Sequence, residues 1–281
     1  MPELSTDPVH AAMGRAALVT GASRGIGHAV AVELDRRGWD VTAGVRTPDP
    51  VDLPDGVRVV RLDVEDPDPA VVPDRLQLLV NNAGVDTDNL PVEAVAADEW
   101  RRVFATNVFG LAEVTRLSLP ALRSGAPSVV CNVTSAGLAV PVPFFGVYRA
   151  SKAAVSALSE TLATELAPLG IRVVEILPGP VDTDMLARSA TVPEAAGVDG
   201  YRPLAEHMAA LRPATDGRAV PAAAAAAAIV DAVEAARAAE PGAVPLRHTC
   251  DPVGRDVVRA WQDTPDEDHI RLFHEVFRPQ P

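Results

Sequence analysis

Tyr148 and Lys152 stand four residues apart in the run Tyr148-Arg149-Ala150-Ser151-Lys152, and Lys152 is the only lysine in the chain; the other 24 of its 25 basic residues are arginine. Only two tyrosines are present, Tyr148 and Tyr201. Arginine cannot replace lysine where a compact, rotatable, deprotonatable donor is needed. An ammonium kept at one address, one helical turn from a phenol, therefore reads as chemical equipment. Positions i and i+4 of a helix share a face. A free phenol, with a pKa of about 10, is a poor base at neutral pH. A nearby ammonium stabilises the tyrosinate and lowers that value. The spacing predicts a proton-transfer pair.

A second chemical signal lies near the N-terminus. Thr20-Gly21-Ala22-Ser23-Arg24-Gly25-Ile26-Gly27 follows an apolar run, and Ile26, Val30 and Leu34 then recur at helical spacing up to Gly38. Glycines between a strand and a helix allow a tight turn and bring a pyrophosphate close to the backbone. The helix N-terminus then stabilises the phosphate charge. A bare glycine triplet is also compatible with an ordinary turn; the strand-loop-helix setting favours dinucleotide binding. The second strand closes on Gly44-Val45-Arg46 with no carboxylate there to take a ribose hydroxyl. Arg46 and Arg24 instead suit a 2′-phosphate, so NADP(H) is expected in preference to NAD(H). The alternative for Arg46 is a solvated loop charge.

These residues need a scaffold, and the chain alternates short apolar runs with helical stretches. Strands are expected at Ala16–Thr20, Val41–Val45, Val57–Leu62, Leu76–Val80, Ser128–Val133, Ile171–Leu177 and Ala243–Arg247. Asp98 is the expected N-cap of a long helix reaching Leu122; further helices are expected at Tyr148–Leu166 and Ala222–Ala239. Strands apolar almost throughout imply a parallel sheet covered on both faces. The fold expected is α/β: a doubly wound Rossmann fold with a seven-stranded parallel sheet, in one domain over residues 14–281 after a flexible stretch at 1–13. Between Asp63 and Asn81, Pro67, Pro69 and Pro73 leave room for only a stub of helix.

The ordered set Thr20–Gly27, Asp63-Val64, Asn81-Asn82-Ala83-Gly84, Asn107, Ser135, Tyr148/Lys152 and Pro178-Gly179-Pro180-Val181-Asp182-Thr183 resembles the short-chain dehydrogenase/reductase family over about residues 14–190. The resemblance implies hydride transfer between a nicotinamide and a carbonyl or alcohol, with Asn107, Ser135, Tyr148 and Lys152 as the catalytic set. Tyr148 would exchange the proton and Ser135 would donate to the substrate oxygen. Lys152 would also bond the nicotinamide ribose, and Asn107 would hold a water linking Lys152 to solvent. Gly21, Ser23, Arg24, Gly25, Ile26 and Gly27 would cradle the pyrophosphate. Asp63 and Val64 would meet the adenine, and Asn82, Ala83 and Gly84 would shape that side of the cleft. Pro178, Gly179, Val181 and Thr183 would close over the nicotinamide. A homodimer or homotetramer is implied in the same way. Taken singly, Ser135 could be a turn residue, Asn107 a buried helix asparagine and Asp63 a strand-end turn.

The substrate side is expected to be apolar. Leu138–Phe145 carries two phenylalanines before Tyr148, and a lid over residues 184–220 contains Met185, Leu186, Tyr201, Leu204, Met208 and Leu211. Either stretch could instead pack on a second subunit. With a C-terminal extension at 249–281, this pattern looks similar to the steroid and retinol dehydrogenase branch. An apolar ketone, aldehyde or alcohol is the expected substrate; alternatives are a 3-oxoacyl-thioester reductase and a catalytically silent NADP(H)-sensing protein. A net charge of −13 disfavours nucleic acid and anionic membrane as partners. No metal site is expected: the six histidines and two cysteines show no ligand spacing, and Cys131 reads as a core residue. Pro2, Glu3, Asp7 and Pro8 stand where a secretory leader carries its apolar core, and a cytoplasmic location is expected.

Overall fold

Apolar β-branched runs punctuated by Gly, Asn and Pro build a parallel sheet with helices on both faces. The structure, a computed structural model, describes residues 15–48, 51–188, 194–211, 217–240 and 242–279; the expected flexible stretch at 1–13 lies outside them. Seven parallel strands run in the order β3-β2-β1-β4-β5-β6-β9. They are β1 (Arg15–Thr20), β2 (Trp39–Val45), β3 (Arg58–Arg61), β4 (Leu78–Asn81), β5 (Ser128–Val133), β6 (Ile171–Ile176) and β9 (Arg247–His248). A separate ribbon pairs β7 (Val181–Asp182) with β8 (Val220–Pro221). The order reverses between β1 and β4, where a doubly wound sheet opens a crevice at its carboxyl edge.

The helices are α1 (Gly25–Arg36), α2 (Ala97–Phe104), α3 (Leu111–Ser124), α4 (Gly146–Leu166), α5 (Asp184–Arg188), α6 (Arg202–Leu211), α7 (Ala222–Ala238), α8 (Pro252–Asp263) and α9 (Asp266–Val276). One core layer packs Val30, Ala31 and Leu34 of α1 and Ile229, Val230 and Val233 of α7 against Val19, Val41, Val80 and Cys131. The opposite layer holds Leu18, Leu79, Val114, Leu122, Val130, Leu162 and Leu166. The alanine tract 222–228 sits at the start of α7, where Ala225 and Ala226 are fully buried. Small side chains let that helix approach the sheet closely.

Most expected elements form with their ends shifted by a residue or two, but two differ in kind. The seventh strand is only Arg247–His248, because Pro245 has no N–H to give the ladder; the Glu175 and Leu177 N–H groups donate to the Leu246 and His248 carbonyls, each at 2.8 Å. The helix expected from Asp98 starts at Ala97, with Asp98 in its first turn, paired to Arg101 instead of capping. That helix is also interrupted by a π turn at Ala105–Gly110, a distortion that often accompanies functional sites. The proline-rich crossover holds a three-residue 3₁₀ turn, Pro69–Val71, which Asp68 caps through the Ala70 N–H at 2.9 Å. Leu62, Val64 and Leu76 flank that turn and cover the second core layer.

Candidate active site

Thr20, at the end of β1, organises the glycine loop. Its hydroxyl donates to Val80 O and accepts the N–H groups of Asn82 and Ala83, both at 3.0 Å. Asn82 clasps the loop in turn, its amide donating to Thr20 O and Gly21 O, both at 3.1 Å. Gly21 and Gly25 have φ of 64° and 59°, a left-handed conformation that glycine adopts without strain. α1 opens at Gly25 with no side chain capping its first turn, so its N-terminal N–H groups face an anion position. Ser23 and Arg24 are exposed beside this position, and Ile26 packs on the core. Arg46 is also exposed at the end of β2. Thr183 lies across the loop: a Cβ on Gly25 would sit 3.4 Å from its methyl group.

A Cβ on Gly27 would fall 2.2 Å from Asn82 Nδ2 and 2.5 Å from Gly21 O. Gly27→Ala is therefore expected to push Asn82 off the loop and to destabilise the fold by about 1–3 kcal/mol, as overpacking does. Dinucleotide affinity should fall at least tenfold. Fluorescence titration of NADPH alongside a thermal melt checks this; unchanged affinity would contradict the role given to the clasp.

The reacting groups converge at the carboxyl edge of β5 and the first turns of α4. Ser135, just beyond β5, is extended and accepts the Gly137 N–H at 3.0 Å. Its hydroxyl acts on the Tyr148 phenol and opposes the rise that burial imposes on the phenol's pKa. Lys152 is 6% exposed, with Nζ donating to Val133 O at 2.9 Å and lying 5.7 Å from the Tyr148 ring centroid. Burial pulls the ammonium down to about 8, with Asp86 opposing.

The phenol corrects the sequence-based expectation. Its pKa lies above that of an ordinary tyrosine: burial raises it most, Asp86 adds to that, and only Ser135 acts in the other direction. Lys152 directs its charge at the Val133 carbonyl instead of the phenol oxygen. At neutral pH, Tyr148 is a protonated donor.

Asn107 sits in the π turn, 1% exposed. Its Oδ1 accepts the Val85 N–H at 2.8 Å, and its Nδ2 donates to Val85 O at 2.9 Å and to Ser151 Oγ at 3.0 Å. The side-chain amide thus ties the loop after β4 to Ser151 of α4. Gly84 lets these groups meet: a Cβ there would lie 3.4 Å from Asn107 Oδ1 and 3.6 Å from Lys152 Nζ. Val64 is buried and presses on the π turn, where a Cβ on Gly110 would come within 2.8 Å of it. Asp63 accepts the Glu65 N–H at 3.2 Å in a local turn.

Two functional neighbours escaped the sequence reading. Asp86, two residues past Gly84, faces both Tyr148 and Lys152 electrostatically. Asp251, 2% exposed, accepts the Gly179 N–H at 2.6 Å and caps α8 through the Gly254 N–H at 2.7 Å. It fixes the start of the Pro178–Thr183 segment, whose Val181 joins the β7–β8 ribbon. Neither acid stands at a spacing that marks it.

An apolar cluster packs around Phe144, just before Tyr148 in the chain. Phe144, buried at φ 71°, meets Tyr201 edge-on at 6.1 Å and packs with Ala195, Ala205, Leu204 and Met208. Met185, expected in the lid, is 37% exposed. His207 bonds Val276 O at 3.0 Å, His269 packs on Phe273, and His274 is exposed. No cluster of metal-ligating side chains occurs among the described residues.

The arrangement can bind a dinucleotide by its phosphates and protonate an oxygen placed against Tyr148 and Ser135. Comparison with known proteins gives the family. The family model "short chain dehydrogenase" matches residues 15–193. Estradiol 17-beta-dehydrogenase 2 of Rattus norvegicus is 35% identical over 61% of this chain and 49% of its own length; the chain thus matches about half of that relative. A short-chain type dehydrogenase/reductase of Picea abies is 33% identical over 61% of this chain and 72% of its own. Among solved structures, a short chain dehydrogenase from Burkholderia cenocepacia in complex with NADP superposes with a TM-score of 0.72 at 26% identity, covering 92% of this chain and 97% of that one. The 3-ketoacyl-(acyl-carrier-protein) reductase from Brucella melitensis, complexed with NADH, gives 0.66 at 25% identity, covering 84% and 97%. The match over residues 15–193, together with the seven-stranded sheet, places this chain in the short chain dehydrogenase family of oxidoreductases.

Proposed function

We propose that the protein is an NADP(H)-dependent oxidoreductase that reduces an apolar ketone or aldehyde to its alcohol. The observation that carries this reading is the half-buried Ser135 and Tyr148 hydroxyls, set beside Lys152 and across the cleft from an uncapped helix N-terminus. A nicotinamide held by the glycine loop and Lys152 would supply hydride to the carbonyl carbon. Ser135 orients the carbonyl oxygen and stabilises its growing charge. Tyr148, protonated at neutral pH, gives that oxygen its proton. Lys152 holds the ribose and keeps the phenol pocket positive as the proton leaves. The Phe144–Tyr201 wall and the small residues around it select an apolar body.

The protonated phenol favours reduction near neutral pH and makes alcohol oxidation rise with pH. The test is oxidation of NADPH against a panel of apolar ketones, with NADH in parallel. Tight cofactor binding with no turnover on any of them would sink this reading in favour of a sensor. Asp86 beside the reacting pair disfavours an acidic carrier as substrate.

Arg24 and Arg46 carry the preference for the 2′-phosphate. A charge-assisted hydrogen bond contributes about 1.5–3 kcal/mol, or roughly ten- to a hundredfold in affinity. The Arg24→Ala/Arg46→Ala double variant is expected to lose that much kcat/KM for NADPH while its kcat/KM for NADH stays within threefold. Equal losses for both cofactors would remove the arginines from the preference.

No described helix is long and apolar enough to cross a membrane. Both cysteines are free and buried, which suits a reducing compartment, and we place the protein in the cytoplasm. Phe109, 66% exposed beside the long α2–α3 helix, fits burial against a second copy in a dimer or tetramer.

A further inference from the structure

Glu175 is a fully buried carboxylate (0% exposed) near the carboxyl end of β6, and the mechanism above does not use it. Its Oε1 accepts from Thr134 Oγ1 at 2.8 Å; its Oε2 accepts from Ser156 Oγ at 3.0 Å and Arg247 Nε at 3.1 Å. The donors come from three elements: the end of β5, the middle of α4 and β9. Thr134 stands between Val133, whose carbonyl holds Lys152 Nζ, and Ser135. Ser156 follows Lys152 by one helical turn. A single carboxylate thus grips, from behind, both the strand end that carries Ser135 and the helix turn that follows Lys152.

Arg247 closes the network. Its Nη2 donates to Ser156 Oγ at 3.2 Å, it pairs with Glu160, and its guanidinium lies 5.8 Å over the Trp261 ring. Both Arg247 and Trp261 lie beyond the residues matched by the family model. A buried ion pair is weak evidence of stabilisation, since apolar replacements are often as stable or more so. What this one supplies is a fixed geometry.

We infer that Glu175, anchored by Arg247, is a positioning residue for Ser135 and Lys152, through which the C-terminal β9–α8 segment sets the geometry of the reaction site. The inference rests on the reading of Ser135, Tyr148 and Lys152 as the reacting set. Its effect is positional: the acid that acts on the Lys152 and Tyr148 charges is Asp86.

The decisive comparison uses the full chain, the Glu175→Leu variant and the Glu175→Leu/Arg247→Met double variant. Glu175→Leu strips the part-buried Arg247 guanidinium of its inner carboxylate and leaves it only Glu160 and Ser156, so its melting temperature should drop. The double variant removes both charges and should recover the parent's melting temperature. Its kcat on an apolar ketone should nevertheless stay tenfold or more below the parent's with KM within threefold, because small misplacements of reacting groups cost up to about a hundredfold. Recovery of kcat together with the melting temperature would overturn the inference. If the double variant does not fold, Thr134→Val and Ser156→Ala release the two grips without touching a charge. A drop in kcat of about tenfold in either then supports the inference, and parental kcat in both overturns it. If the parent itself turns over no carbonyl, the reading of the reacting set fails, and NADPH affinity decides this inference alone. A dissociation constant raised about tenfold in these variants supports it, and an unchanged one overturns it.

Discussion

Tyr148→Phe is expected to lower kcat for ketone reduction by about a hundred- to ten-thousandfold, the range for loss of a positioned general acid, while NADPH binds within threefold of the parent. The phenylalanine ring fills the same space, so the packing around α4 stays intact. Ser135 loses its phenol partner but keeps the Gly137 N–H at 3.0 Å and so remains in place. What disappears is the one hydroxyl that can give a proton to the carbonyl oxygen from inside the cleft. Because burial and Asp86 both raise the Tyr148 pKa, the parent's reduction rate should not depend on loss of that proton across pH 6–8. Oxidation of the alcohol needs the tyrosinate and should climb steadily with pH. Single-turnover kinetics with premixed NADPH separate the chemical step from cofactor binding. A variant that keeps more than about a tenth of the parental rate would transfer the proton donation to another group.

That prediction depends on features that differ in how plainly the chain displays them. The Tyr148–Lys152 pairing is legible because helical spacing converts four residues of sequence into one shared face. The glycine loop is legible because its backbone demands, φ of 64° and 59° at Gly21 and Gly25, select a residue type. The parallel sheet is legible from strands apolar on both faces, as at β5, which is buried throughout. Pairings that the fold brings together across long separations carry no such mark. Gly179 meets Asp251 across 72 residues, as Glu175 meets Arg247, and nothing in local pattern or propensity couples them. The π turn at Asn107 escapes for a related reason: the helical pattern around it is intact, and the extra residue is absorbed where Val64 presses on Gly110. The upward shift of the phenol was hidden because it follows from burial, which the spacing of two residues does not contain.

Lys152→Met should produce the second large effect, a loss in kcat of about a hundredfold together with weaker NADPH binding, and it carries a pH signature of its own. The methionine stem fills the lysine's channel, but Val133 O loses its donor and the pocket loses its positive charge. Lys152→Arg should not rescue activity: Lys152 is only 6% exposed and its Nζ is a compact point donor to Val133 O, and a larger planar guanidinium cannot reproduce that single contact. Burial lowers the Lys152 pKa to about 8 from 10.5. Below pH 8 both folded and unfolded chains carry the ammonium, and the folded chain bears the full penalty of burying it. Between pH 8 and 10.5 the folded chain has released a proton that the unfolded chain retains, so stability rises with pH. Lys152→Met has no such proton. It is therefore expected to melt above the parent at pH 6–7, with the gap narrowing as pH rises through 8 toward 10. Melting curves for both proteins across pH 6–10 measure that gap, and other titrating groups largely cancel in the difference. A gap that stays constant over the whole range would mean that the buried ammonium is not strained, and the loss of kcat would then report only a missing hydrogen bond to the ribose.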